Sequence, residues 1–240
     1  MENKHIIIAS LILAFSLIIS VLIYSNNLFR IQNLDNTLVV KGSSTKIVTS
    51  DLVKLKTNFT RIVSASDLKE GYALMEADEE KVVNFLSDNN ITESEYEISP
   101  ISMYEQYSYK EDGGETKYNL SQQIIITSTD LEKVKTLSQK ASDLIKLDVI
   151  YQTNALEYYY TKLPEERVNL LPAAVLDAKK RAEAIAESTD NKVGSLKSAD
   201  MGVVQIMQPN STDISSYGSY DTSTIEKEIM ITINANFVLE

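Results

Sequence analysis

Few residue types in this chain could carry out catalysis. The only histidine is His5, and there is no cysteine. Beyond His5, therefore, no imidazole can serve as a general base, complete a Ser-His-Asp arrangement or bind zinc. The lack of thiols also removes disulfides, cysteine nucleophiles and iron–sulfur ligation. Two chemistries survive: paired carboxylates, as in glycoside hydrolysis, and a Ser-Lys pair. Neither leaves a local motif among the 34 Asp+Glu and 23 Lys+Arg. The expectation is a protein that is not an enzyme and that needs no cofactor. No catalytic, cofactor-binding or metal-ligating residue is singled out.

Binding chemistry has more candidates. Tyr104, Tyr107 and Tyr109 alternate in part along one extended stretch, and Tyr158-Tyr159-Tyr160 cluster in another. Tyrosine joins apolar area to a polar tip, which suits both an interface and the packing of a sheet face. Tyr217 and Tyr220 sit in a polar loop that reads as mobile. Asp177, Lys179, Lys180, Arg181 and Glu183 could line a ligand groove or form a solvated helix face paired at i,i+4. Glu165-Glu166-Arg167 beside Pro164 reads as a helix start, where acids suit the positive end of the dipole. The net charge of −11 repels phosphates and anionic surfaces, so no nucleic-acid partner is expected.

These residues need a scaffold, and the patterning suggests one. Thr37 to Thr49 is β-branched around Gly42-Ser43-Ser44. Leu52 to Val63 alternates, with Val53, Leu55, Thr57 and Phe59 on one face. A helix capped by Ser66 or Asp67, with Glu70 completing a capping box, presents Leu68, Tyr72, Met75, Val82 and Leu86. Tyr96 to Tyr109 is a strand interrupted by Pro100, and Glu111-Asp112-Gly113-Gly114 turns it into the return strand Tyr118 to Thr127. Thr129-x-x-Glu132 opens a second helix, with Leu131, Val134, Leu137, Ala141, Leu144 and Ile145 inward. Asp148 to Tyr160 is again extended. The order from Leu52 to Tyr160 is β-α-β-β-α-β, the ferredoxin-like sequence of elements, with strand order left open. Pro172 is expected to divide the next helix, whose second part carries Val175, Ala178, Ala182 and Ile185 on one stripe. Val193 to Met207 and Ile225 to Leu239 close the fold.

Ahead of this scaffold, Ile6 to Ile23 is unbroken by charge, with Ser10, Ser16 and Ser20 its only polar residues. At about 1.5 Å per residue such a run is long enough for a bilayer core of roughly 30 Å. The expected organisation is a cytoplasmic tail (1–5), a transmembrane signal-anchor helix (6–24), a juxtamembrane linker (25–36) and one extracytoplasmic α+β domain (37–240). The alternative is cleavage after Ser25, which would release a secreted or periplasmic protein.

Val40-Lys41-Gly42 opens the domain, and the β-α-β-β-α-β body follows. An alanine-rich helix then carries Ala174, Ala178, Arg181, Ala182 and Ala186, and Val193-Gly194 and a final alternating strand complete the pattern. In this order and spacing the chain resembles the SIMPL-domain proteins of bacterial envelopes. Ser44 stands where the family has a second glycine, and Asp190-Asn191 where it often ends the helix with glycine. Asn tolerates the left-handed conformation such a cap needs. The resemblance transfers no catalytic motif. It implies an envelope or periplasmic protein, sometimes tied to oxidative stress, with some relatives assembled into ring- or channel-like oligomers. The functional expectation is a non-enzymatic, membrane-anchored protein, held through Ile6–Ile23, acting by self-assembly or through envelope partners. The alternatives are a small-molecule or peptide sensor with a groove beside the alanine-rich helix, and a carboxylate or Ser-Lys hydrolase.

Overall fold

The computed structural model describes residues 12–25, 36–106 and 115–240. The chain is α+β, but the expected membrane span is corrected. Of the N-terminal stretch, residues 12–25 are described and are helical (α1). Among the described residues no helix is long and apolar enough to cross a membrane. The first part of the expected span (6–11), His5, and most of the expected linker lie outside the described residues, as does the turn Glu111–Gly114.

Residues 37–240 fall into two compact units, and β1 (Thr37–Thr49), α4 (Leu163–Glu187) and β11 (Glu226–Leu239) contribute to both. The larger unit covers Lys46–Glu166 and Gln205–Ile229. It holds β2 (Leu52–Ser64), α2 (Leu68–Asp88), β3 (Tyr96–Ile98), β4 (Ser102–Gln106), β5 (Lys117–Ser128), α3 (Leu131–Lys140), β6 (Ile150–Thr153) and β7 (Glu157–Tyr159). The sheet order places β3 and β4 beside β5, then β2, then β6 and β7, with every pair antiparallel. If β3/β4 and β6/β7 each count as one strand, this is the split βαβ order of a ferredoxin-like sheet.

Alternation along β2 places Val53, Leu55, Thr57 and Phe59 inward, and they pack with Met75, Val82 and Leu86 of α2 and Val134 and Leu137 of α3. Each large apolar side chain so buried contributes about 1.5–3 kcal/mol. Both doubled strands have local causes. Pro100 has no N–H to give the ladder, and Ser99 Oγ instead accepts the Gln123 N–H at 2.9 Å. Between β6 and β7 the register against β2 slips by one residue, since Thr57 faces Thr153 whereas Leu52 faces Tyr159.

Several local expectations are corrected. The side chain of Asp67 caps nothing; it accepts from Ser64 Oγ ahead of α2. Tyr72 is exposed and Gly71 takes its place inward, because a Cβ at Gly71 would lie 2.8 Å from Val63 Cγ1. Asp130, not Thr129, caps α3 by accepting the Lys133 N–H at 2.9 Å. After Lys140 the helix tightens into a 3-10 segment, Ala141–Leu147. The changed period keeps Leu144 inward and leaves Ile145 exposed.

The smaller unit comprises the described part of Met1–Thr45 with Arg167–Val204 and Met230–Glu240. Here β11 lies between β1 and β8 (Val193–Met201), with α4 packed on one face. Pro172 does not divide α4, which runs unbroken for 25 residues. The proline removes one backbone bond, and burial of Leu170 and Ala174 on either side holds the helix together. The buried stripe is Ala174, Ala178, Ala182 and Ala186 at strict i,i+4 spacing, whereas Ile185 is exposed. Small side chains let β1 approach closely: a Cβ on Gly42 would lie 2.5 Å from Ala178 N. At the end of α4 it is Asp190, not Asn191, that adopts the left-handed conformation (φ 58°). Ser44 stays in ordinary strand conformation, as expected. The stretch Val193–Met207 breaks at Gly202–Val204 into β8 and β9 (Gln205–Met207), and β9 pairs in parallel with β10 (Ser219–Tyr220).

Candidate interaction surface

The ionisable groups come together as clamps between elements. Asp78 of α2 is 1% exposed and accepts two bonds from Arg61 of β2. Arg61 also donates to the Asp148 carbonyl at 3.1 Å, and Lys81 donates to that of Leu147 at 2.9 Å. Glu95 gathers Lys133 Nζ at 2.7 Å, Ser128 Oγ at 2.5 Å and the Thr92 N–H at 3.0 Å. Burial opposes its ionisation, yet these hydrogen bonds prevail and hold its pKa at about 2. In both clusters the donors and acceptors satisfy one another around a side chain that ties strand to helix. Among the described residues no three His, Cys, Asp or Glu are grouped to hold a metal.

The loop 208–224, expected to be mobile, is pinned by two buried polar side chains. Gln205 donates Nε2 to the Ser215 carbonyl at 2.6 Å and accepts from Ser219 Oγ at 2.8 Å. Lys227 is fully buried, and its Nζ donates to the carbonyls of Asp221 (2.6 Å) and Thr224 (2.8 Å). Burial pushes its pKa down, against the pull of the nearby Asp221 carboxylate.

The three clustered tyrosines play separate parts. Tyr158 is buried in the core, whereas Tyr159 stacks obliquely on Tyr220 at 5.9 Å and donates its hydroxyl to Glu157 at 2.8 Å. That bond, with burial, raises the Tyr159 pKa to about 12. The Tyr160 N–H donates to Tyr220 Oη. Tyr104 is 65% exposed on β4, Tyr217 is exposed, and Tyr107 and Tyr109 lie outside the described residues.

The charges of α4 pair along the helix as the solvated-face reading has it: Arg181 with Asp177 at 2.9 Å and Lys179 with Glu183 at 3.7 Å. Asp177 does one thing more, accepting the Ser43 N–H of β1 at 2.8 Å. Glu166 is buried and accepts from Lys46 at 2.7 Å. Two of these groups had a signal in the sequence. Asp78 falls in step with Met75, Val82 and Leu86, and Lys227 falls on the inward alternation of Ile229 and Ile231.

Two unfilled surfaces remain. The first is β8, which pairs with β11 along one side and has no strand on the other among the described residues. Every residue from Ser195 to Met201 is exposed. Leu196, Ala199 and Met201 stand opposite Phe237, Ala235 and Ile233, which are buried, yet they themselves stay open to solvent. The second is the sheet face of the larger unit turned away from α2 and α3. Its middle rows, read across the strands, are Gln123–Asn58–Gln152, then Ser102–Ser121–Thr60–Ile150, then Tyr104–Asn119–Ile62.

The larger unit is thus a ferredoxin-like α+β body whose strands and helices are tied by paired clamps. The match to a family model spans residues 38–238, and the chain belongs to that family, SIMPL, described as a protein of unknown function (DUF541). No curated protein matches it.

Proposed function

We propose that this SIMPL-domain protein is a non-catalytic, extracytoplasmic interaction module that associates with further copies of itself through the free edge of β8. The observation that supports this is a nine-residue edge strand whose residues 195–201 are exposed on both faces. An unpaired strand edge is a template for another strand, and proteins that must stay apart usually cover it, shorten it or fill it with charge. Here Leu196, Ala199 and Met201 put apolar area beside that edge, proline is absent from β8, and its two charged residues, Lys197 and Asp200, are of opposite sign and so add no net charge. Pairing would bury these side chains and satisfy the outward backbone groups together.

Sedimentation of the full-length chain tests this against the double variant Leu196→Lys/Met201→Lys. Both positions are exposed, so the variant keeps its fold, and two lysines on the edge repel a second copy. The wild-type mass should rise with concentration and that of the variant should not. A monomer at all concentrations, or a variant that associates like the wild type, would refute the proposal.

A further inference from the structure

We propose that the open sheet face of the larger unit binds a neutral oligosaccharide. The three middle rows run across β4, β5, β2 and β6, with strands about 4.8 Å apart and rows about 6.7 Å apart. They form a patch roughly 14 Å on a side by those spacings. The patch contains no carboxylate, amine or guanidinium, in a chain of which 24% of residues are charged. Charges begin only at its borders, with Lys56 and Glu97 on one side and Lys117 on the other. The neutral interior therefore favours a partner without formal charge.

The polar groups on this face narrow the partner further. Asn58, Gln123 and Gln152 bring three primary amides to one surface, each with two donors and a carbonyl acceptor, and Asn119 adds a fourth amide whose carbonyl oxygen is buried without a partner. Vicinal hydroxyls of a sugar ring present the same mixture of donor and acceptor at similar spacing. Only one bond ties these amides to each other, Asn58 Nδ2 to Gln152 Oε1 at a long 3.4 Å, and the Gln123 side chain has no partner among the described residues. Tyr104 stands at the rim, 65% exposed, where its ring offers a flat apolar surface to the C–H face of a pyranose. Two separated isoleucines, Ile62 and Ile150, are too little apolar area for a lipid surface or a protein hot spot. This site is independent of the β8 edge, so either proposal can fail without the other.

Isothermal titration of the full-length chain with chitotetraose, a neutral sugar rich in acetamides, tests the site. Binding should be weakened tenfold or more by Tyr104→Ala and by Gln123→Ala, and left unchanged by Tyr217→Ala. Circular dichroism confirms folding of each variant, and Gln152→Ala is read in place of any that misfolds. Affinity should be flat from pH 5 to 9, since none of the amides titrates, and a hyaluronate tetrasaccharide should bind at least tenfold more weakly. Absence of binding at millimolar sugar would overturn the proposal. So would binding indifferent to the face variants, or equal affinity for the acidic sugar.

Discussion

Adding one methyl group at Gly42 should damage the smaller unit more than any other glycine substitution there. A Cβ at this position would sit 2.5 Å from Ala178 N and 2.7 Å from Ala178 Cβ, with the Ala174 carbonyl closer still. Ordinary contact begins near 3.4 Å, so β1 or α4 must move by about 1 Å or more. The obstacles are helix backbone, and the same helix is held by buried Ala182 and Ala186. Overpacking of this kind costs about 1–3 kcal/mol, and backbone obstacles put Gly42→Ala at the upper end. The reduced freedom of the unfolded chain returns about 0.4–1 kcal/mol, which leaves a net loss of roughly 2 kcal/mol. For a chain of this size that lowers Tm by roughly 4–8 °C. Thermal and urea unfolding followed by circular dichroism would measure it. Gly202→Ala is the comparison, since its Cβ would meet a rotatable hydroxyl, Thr232 Oγ1 at 2.5 Å, and should cost less than about 1 kcal/mol. Removing the Ala178 methyl in Gly42→Ala/Ala178→Gly should recover less than half the loss, because the Ala178 N and Ala174 carbonyl remain. A Gly42→Ala protein that melts with the wild type, or a more damaging Gly202→Ala, would refute the close-approach argument.

Three other perturbations have defined outcomes. Asp78→Ala leaves the Arg61 guanidinium, only 23% exposed, without its carboxylate and should cost about 3 kcal/mol in urea unfolding. Adding Arg61→Met should restore most of that loss. The lowered pKa of Glu95 means that its contribution is complete above its ordinary value of 4.5 and is lost as pH falls towards about 2. Allowing for solvent screening, this amounts to about 1–2 kcal/mol, and Glu95→Gln should flatten the acid limb of the stability–pH curve in that window. Lys227→Met removes a costly buried charge along with the bonds that hold the loop. Global stability should therefore change by less than about 1 kcal/mol while amide exchange across 208–224 accelerates.

The elements legible in the sequence were those governed by a single period. Alternation marked the inward face of β2 residue by residue, and the order of elements from Leu52 to Tyr160 followed from successive changes of period. Legibility failed where a tertiary contact outweighed the local signal. Gly71 displaced Tyr72 because Val63 leaves no room for a side chain, and α4 passed through Pro172 because buried residues flank it. Asp130 outcompeted Thr129 at a cap that two adjacent residues could equally supply. The N-terminal run illustrates a different limit: hydropathy marks an apolar stretch, whereas among the described residues no helix is long and apolar enough to cross a membrane. The candidate surfaces were the least visible. An open edge and an uncharged face are properties of strand neighbours, which no linear pattern encodes. Of these surfaces only Tyr104 stands out in the sequence as a candidate contact, and it does so by residue type.

Hydrogen–deuterium exchange across Ser195–Met201, followed as the full-length protein is taken from micromolar to hundred-micromolar concentration, is the most direct test of assembly through β8. The outward-facing amides of this strand should become protected in step with the rising mass, and they should stay unprotected in Leu196→Lys/Met201→Lys. Association of the chain with no change in exchange along β8 would contradict the account.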